Sequence, residues 1–101
     1  MIHAEISIYP IGTDSTSMSF YVARAVEAIK DIQSVRHTLT PMGTVLESDD
    51  INAIFDASKA AIETVHRLGV KRVEVVLKVD SRHDKVQTVQ DKLDAVAKHL
   101  S

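Results

Sequence analysis

The sequence predicts an α+β sandwich, one sheet with helices laid against it, and three observations predict it. Two runs alternate apolar and polar residues with period two, Ile2 to Tyr9 and Val70 to Val79. Two longer segments carry apolar residues at three- and four-residue spacing, as a helix packed on a core must. Between those helices lie two short strand-like runs separated by Pro41 and Gly43.

In the first run Ile2, Ala4, Ile6 and Ile8 fall on one face and His3, Glu5, Ser7 and Tyr9 on the other, a half-buried strand that Pro10 and Gly12 are expected to stop. Thr13, Asp14, Ser15 and Ser17 offer side-chain oxygens to the unpaired N–H groups that open a helix. Met18, Val22, Ala25, Val26 and Ile29 then form the inward stripe of that helix, with Lys30 and Asp31 on its far side. Val35 to Thr40 reads as a second strand and Thr44 to Glu47 as a third, joined through an irregular corner at Pro41 to Gly43. Ser48, Asp49 and Asp50 suit a helix N-terminus, and Ile51, Ile54, Phe55, Ser58, Ile62, Val65 and Leu68 trace a second stripe that Gly69 ends. In the fourth strand Val73, Val75, Leu77 and Val79 alternate with Arg72, Glu74, Val76 and Lys78. The polar joint DSRHDK precedes a last helix expected to turn Val86, Val89, Leu93, Val96 and Leu100 inward.

Strand, helix, strand, strand, helix, strand is the split βαβ order of the ferredoxin-like fold. The expectation is therefore a ferredoxin-like βαββαβ sandwich with an appended C-terminal helix, forming one domain over residues 1–101. Both long helices should lie on one sheet face. With the first and fourth strands as central neighbours, the other face would carry His3, Glu5, Ser7, Arg72, Glu74 and Lys78. A broad open face of this kind is usually covered by another subunit, by the appended helix or by a ligand, although an antiparallel face can also stay wet; a homo-oligomer, at least a dimer, is expected over a monomer.

Composition narrows the function. The 12 basic and 14 acidic residues are spread without a block of one sign, and two tyrosines, two phenylalanines and no tryptophan leave little for base stacking, which disfavours nucleic acid. The lack of cysteine removes disulfides and thiolate chemistry, and no apolar stretch reaches the roughly 20 residues that span a bilayer. A cytoplasmic protein without a membrane partner is expected. The five histidines, among them His66 and His99 near helix C-termini, show no HxxxH or HExxH spacing, so no metal site is expected. The three glycines form neither GxGxxG nor a P-loop, and no cofactor is implied.

Two corners share a vocabulary. YPIGTDSTS and LTPMGTVLE each crowd a proline, a glycine and a threonine next to a strand, and a carboxylate stands near each, Glu5 before the first and Glu47 in the second. Taken singly, Thr40 and Thr44 reflect β-propensity, Met42 fills a gap and Glu47 is a solvated carboxylate. Glu5, in mid-strand, needs a partner or solvent to offset desolvation; Arg72 or Lys78 is one candidate partner, and a cationic or amidine-like ligand, which would make Glu5 the specificity residue, is the other. Hydroxyls are many, but no Ser, His and acid constellation can be identified by spacing, so no enzyme is expected; an acylphosphatase would want an arginine in the loop before the first helix, and none is there.

At EISIYPIGT, LTPMGTVLE and RVEVVLKVDSRHDK, nearly end to end, the sequence resembles the small thiamine-binding protein family, whose members are ferredoxin-like domains. The resemblance implies binding of thiamine or its hydroxymethylpyrimidine moiety near a subunit interface, assembly into a dimer or tetramer through sheet faces and edges, and no established catalytic chemistry. It implies edge contacts to an aminopyrimidine from Glu5, Ser7, Thr13, Thr40, Thr44 and Glu47, with Tyr9 and Met42 covering the ring. The alternative is a structural or regulatory oligomeric module without a small-molecule ligand.

Overall fold

Period-two alternation sets the sheet. In the computed structural model, which describes residues 1–100, the elements run β1 (Ile2–Ile11), α1 (Ser19–Lys30), β2 (Arg36–Thr40), β3 (Gly43–Ser48), α2 (Ile51–Arg67), β4 (Arg72–Ser81) and α3 (Val89–Ala97). This is the ferredoxin-like βαββαβ order with a C-terminal helix added. The strands form one antiparallel sheet in the order β2-β3-β1-β4. The central pair is therefore β1 and β3. Strand β4 does neighbour β1, but it lies at the sheet edge and not at its centre, because the β2–β3 hairpin takes the other side of β1.

Ile2, Ala4, Ile6 and Ile8 of β1 and Leu46 of β3 are buried on the face that carries α1 and α2, together with Ala25 and Ile29 of α1 and Ala53, Ile54, Ala57, Ala61 and Val65 of α2. Strand β1 runs two residues past its expected stop, with Pro10 buried and opposite Val73. Beyond the β3 pairing, that stretch of β1 has β4 alone as a neighbour, so a missing N–H on its free side breaks no ladder. The inward face of α2 is built on alanines 53, 57 and 61 in place of Phe55, which is half exposed, since close approach to α1 and the sheet favours small side chains.

Helix ends follow local chemistry. Asp50 caps α2 by accepting from the Asn52 N–H at 2.9 Å, and Gly69, with φ +96°, ends it in a conformation that disfavours a side chain. His66 in the last turn ties back to the Val70 carbonyl through Nδ1 at 2.8 Å, a structural contact. Of the loop side chains expected to cap α1, only Ser17 reaches it, its Oγ accepting from the Ser19 N–H at 3.5 Å. The N-cap is Met18, without a side-chain bond, because the helix opens too far along for Thr13 and Asp14 to reach it. Thr13 Oγ1 donates to the Ser15 carbonyl, and Ser15 Oγ accepts from the Ser17 N–H, so the loop satisfies itself.

The appended helix departs most from expectation. A capping box between Thr88 and Asp91 opens α3, yet no residue of α3 is buried, and Val86, Leu93, Val96 and Leu100 are exposed where they were expected to face inward. Helical periodicity shows that a stripe exists without showing what it packs on. No helix is long and apolar enough to cross a membrane among the described residues.

Candidate functional site

The β2–β3 connection is a tight turn at Pro41 and Met42, with Thr40 opposite Gly43. Thr40 organises it. Its Oγ1 donates to the Gly43 carbonyl at 2.8 Å and accepts from the N–H groups of Gly43 and Met42 at 3.1 and 3.3 Å. From the neighbouring strand Ser7 Oγ donates to the Met42 carbonyl at 2.9 Å, pinning the turn to β1. Gly43 is required by this closeness: a Cβ there would stand 2.8 Å from Ser7 Oγ and 3.2 Å from the Ile6 carbonyl oxygen.

Because β3 starts only at Gly43, β1 continues past it and leaves a gap between the turn, β1 and α1. A cleft of about 100 Å³ fills that gap. Its walls are apolar, from Ile6, Ile8, Met18, Val22, Val26 and Leu39, and its polar lining comes from Ser7, Tyr9, Thr40 and Thr44. Thr44, 4% exposed, is on the helix side of the sheet, whereas Met42, 82% exposed, stands at the mouth. Ser7, Tyr9, Thr40, Met42 and Thr44 line one cleft, to which the first corner contributes Tyr9 alone.

The other candidates lie elsewhere. Thr13 lines a separate groove with Gly12, Asp14, Tyr21, Lys71 and Arg72. Glu5 is exposed on the open sheet face opposite Lys78, but among the described residues neither enters an ion pair, and Arg72 pairs with Glu74 instead. Glu47 is not the solvated carboxylate expected. It is 9% exposed, with Arg36 Nη2 at 3.2 Å from Oε1, His3 Nε2 at 3.5 Å from Oε2, and the Val89 N–H donating to Oε2 at 2.7 Å.

Sequence reasoning did not find that cluster. Its partners come from β1, β2 and α3, and the available signal was the alternation that puts Arg36, Glu47, His3 and Asp80 in one row across the sheet. Beside it, the hydrogen bond and charge of Lys92 hold the Asp80 carboxyl below its ordinary value. In the joint ahead of α3, the Arg82 guanidinium forks onto both Asp84 oxygens, which lowers the Asp84 carboxyl and raises Arg82. Among the described residues no cluster of three or more His, Asp or Glu is placed to hold a metal ion.

With this geometry in view, comparison places the chain among known proteins. The sequence matches the model of the family described as thiamine-binding protein over residues 4–97. The chain belongs to this family. A UPF0045 protein of Methanothermobacter thermautotrophicus is 44% identical over 100 residues, covering 99% of this chain and 100% of that one. The crystal structure of a hypothetical protein of Methanocaldococcus jannaschii superposes with a TM-score of 0.86 at 40% identity, covering 96% of each chain. A Thermotoga maritima protein provisionally assigned to thiamine biosynthesis or salvage shares the fold, with a TM-score of 0.76 at 18% identity over 94% of this chain and 97% of that one.

Proposed function

We propose that this thiamine-binding family member is a non-catalytic, cytoplasmic binding protein for thiamine or its hydroxymethylpyrimidine moiety, working as a single domain over residues 1–101 within a homo-oligomer. The observation that carries the reading is the cleft under the β2–β3 turn. A planar aminopyrimidine needs apolar cover on its faces and hydrogen-bonding groups at its edge, and this cleft offers aliphatic walls with Ser7, Tyr9, Thr40 and Thr44 among them. Sites that bury a drug-sized ligand run from roughly 300 Å³ upward. A cleft of about 100 Å³ encloses one small ring, so the rest of a thiamine molecule would lie at the mouth, beside Met42 and under a second subunit.

A second reading, an oligomeric interaction module without a ligand, is favoured by the exposed apolar residues Leu93, Val96 and Leu100. Isothermal titration with thiamine, hydroxymethylpyrimidine and thiamine phosphates separates the two. Saturable binding is expected, weakened roughly tenfold by Thr44→Val, which removes a hydroxyl and keeps the shape. Glu5→Gln reports on the open face: a loss of affinity brings that carboxylate to the ligand, and no change makes it structural. No heat with any of the compounds would overturn the binding reading and leave the interaction module.

A further inference from the structure

Helix α3 is held differently from α1 and α2. Those two are anchored by buried aliphatic residues, while α3 buries none and turns Leu93 and Val96 to solvent. A nine-residue helix without tertiary burial is marginal in water. Its attachments are polar. The Val89 N–H in its first turn donates to Glu47 Oε2, and one turn on Lys92 Nζ donates to Asp80 Oδ2.

The sheet beneath records what α3 covers. His3 shares the open face of β1 with Glu5, yet Glu5 is exposed and His3 is 7% exposed. Among the described residues α3 is the helix that reaches the His3 end of this face, through Glu47 on one side of β1 and Asp80 on the other. Between α3 and the strands lies a recess of about 220 Å³ lined by His3, Glu5, Lys78, Asp80 and Lys92. His3 Nε2 is buried there without a hydrogen bond, its charge partner Glu47 Oε2 standing 3.5 Å away.

We propose that α3 is a releasable strap over this end of the sheet, latched by the buried carboxylate of Glu47. Docked, it seals His3 and narrows the recess. Released, it uncovers His3, Glu47 and the recess while the sheet and the α1–α2 layer stay folded, because their shared core contains no α3 residue. The inference does not depend on which ligand the cleft takes.

Two readouts on the full chain test it. Hydrogen exchange followed by mass spectrometry should show residues 89–97 exchanging roughly tenfold faster in Glu47→Ala than in the wild type, with β1 and α2 unchanged. Since Glu47→Ala also removes a neighbour of His3, the second readout uses changes confined to α3 and its cap, Thr88→Ala with Lys92→Met. Modification of His3 by diethylpyrocarbonate should accelerate several-fold in that pair, with the far-ultraviolet melting profile of the core retained. Unaltered α3 exchange in Glu47→Ala, or unaltered His3 reactivity in the Thr88 and Lys92 pair, would overturn the strap. So would loosening of β1 and α2 together with α3.

Discussion

At the scale of single residues, Gly43 and Ser7 decide the shape of the cleft. A side chain at position 43 would press on Ser7 Oγ, Glu5 Cγ and the Ile6 carbonyl oxygen, and the last of these cannot rotate away. Gly43→Ala is expected to destabilise the chain by about 1–3 kcal/mol, as overpacking does. Ser7→Ala removes the closest of the three atoms, so the double variant should lose less than the sum of the singles, a coupling readable from urea midpoints. Additive losses would mean that the strain lies at the Ile6 backbone instead. Gly43 was legible in the sequence because turn chemistry is local: LTPMGTVLE announces a turn and its hydroxyls without outside help, whereas the tie from Ser7 comes from another strand. Glu47 was not. Its burial depends on Arg36, His3 and Val89, which arrive from three different elements.

At the scale of elements, the strands were read well and the helices only by half. A strand face follows from period two, whereas a helical stripe leaves open which of several neighbours covers it. In α2 the stripe named Ile54, Ser58 and Val65, which are buried, but passed over Ala53, Ala57 and Ala61, which complete the packed surface where Phe55 is half exposed. Ala57→Leu should therefore cost about 1–3 kcal/mol, while Phe55→Ser, at a half-exposed position, should cost less, a ranking that thermal or urea unfolding can check. For α3 the same reasoning turns on acid. The hydrogen bond and charge of Lys92 lower Asp80, and hydrogen bonds from the Thr88 backbone and side chain lower Asp91, both below the ordinary value of 3.8. A carboxyl whose folded pKa is depressed contributes stability above its unfolded value and loses it as pH falls through the folded one. Helix α3 should hence hold at neutral pH and loosen below about pH 3.8. Amide chemical shifts of residues 89–97, followed from pH 6 downward, check this, and Asp80→Asn should remove part of the pH-dependent change.

At the scale of the whole molecule, the chain is a slab, with principal extents of 44 × 33 × 18 Å. Two layers, one sheet and one pair of helices, account for the short axis, and α3 covers the open face only near His3. The rest of that face presents Glu5, Lys78 and the 61%-exposed Val76 to solvent, and the cleft opens beside exposed Leu39 and Met42. A single antiparallel sheet tolerates one wet face, but an exposed apolar residue on its edge strand β4 and an undersized cleft both gain from a second copy. Light scattering should accordingly return two or four times the chain mass of 11.1 kDa, and Val76→Lys should shift that mass downward. If Val76→Lys dissociates the assembly and also weakens binding of a pyrimidine ligand, then ligand and partner share one surface. If it dissociates the assembly with affinity unchanged, the cleft of a single chain suffices, and the requirement for a covering subunit falls. A wild type that scatters as 11.1 kDa at high concentration would remove the oligomer from the reading altogether.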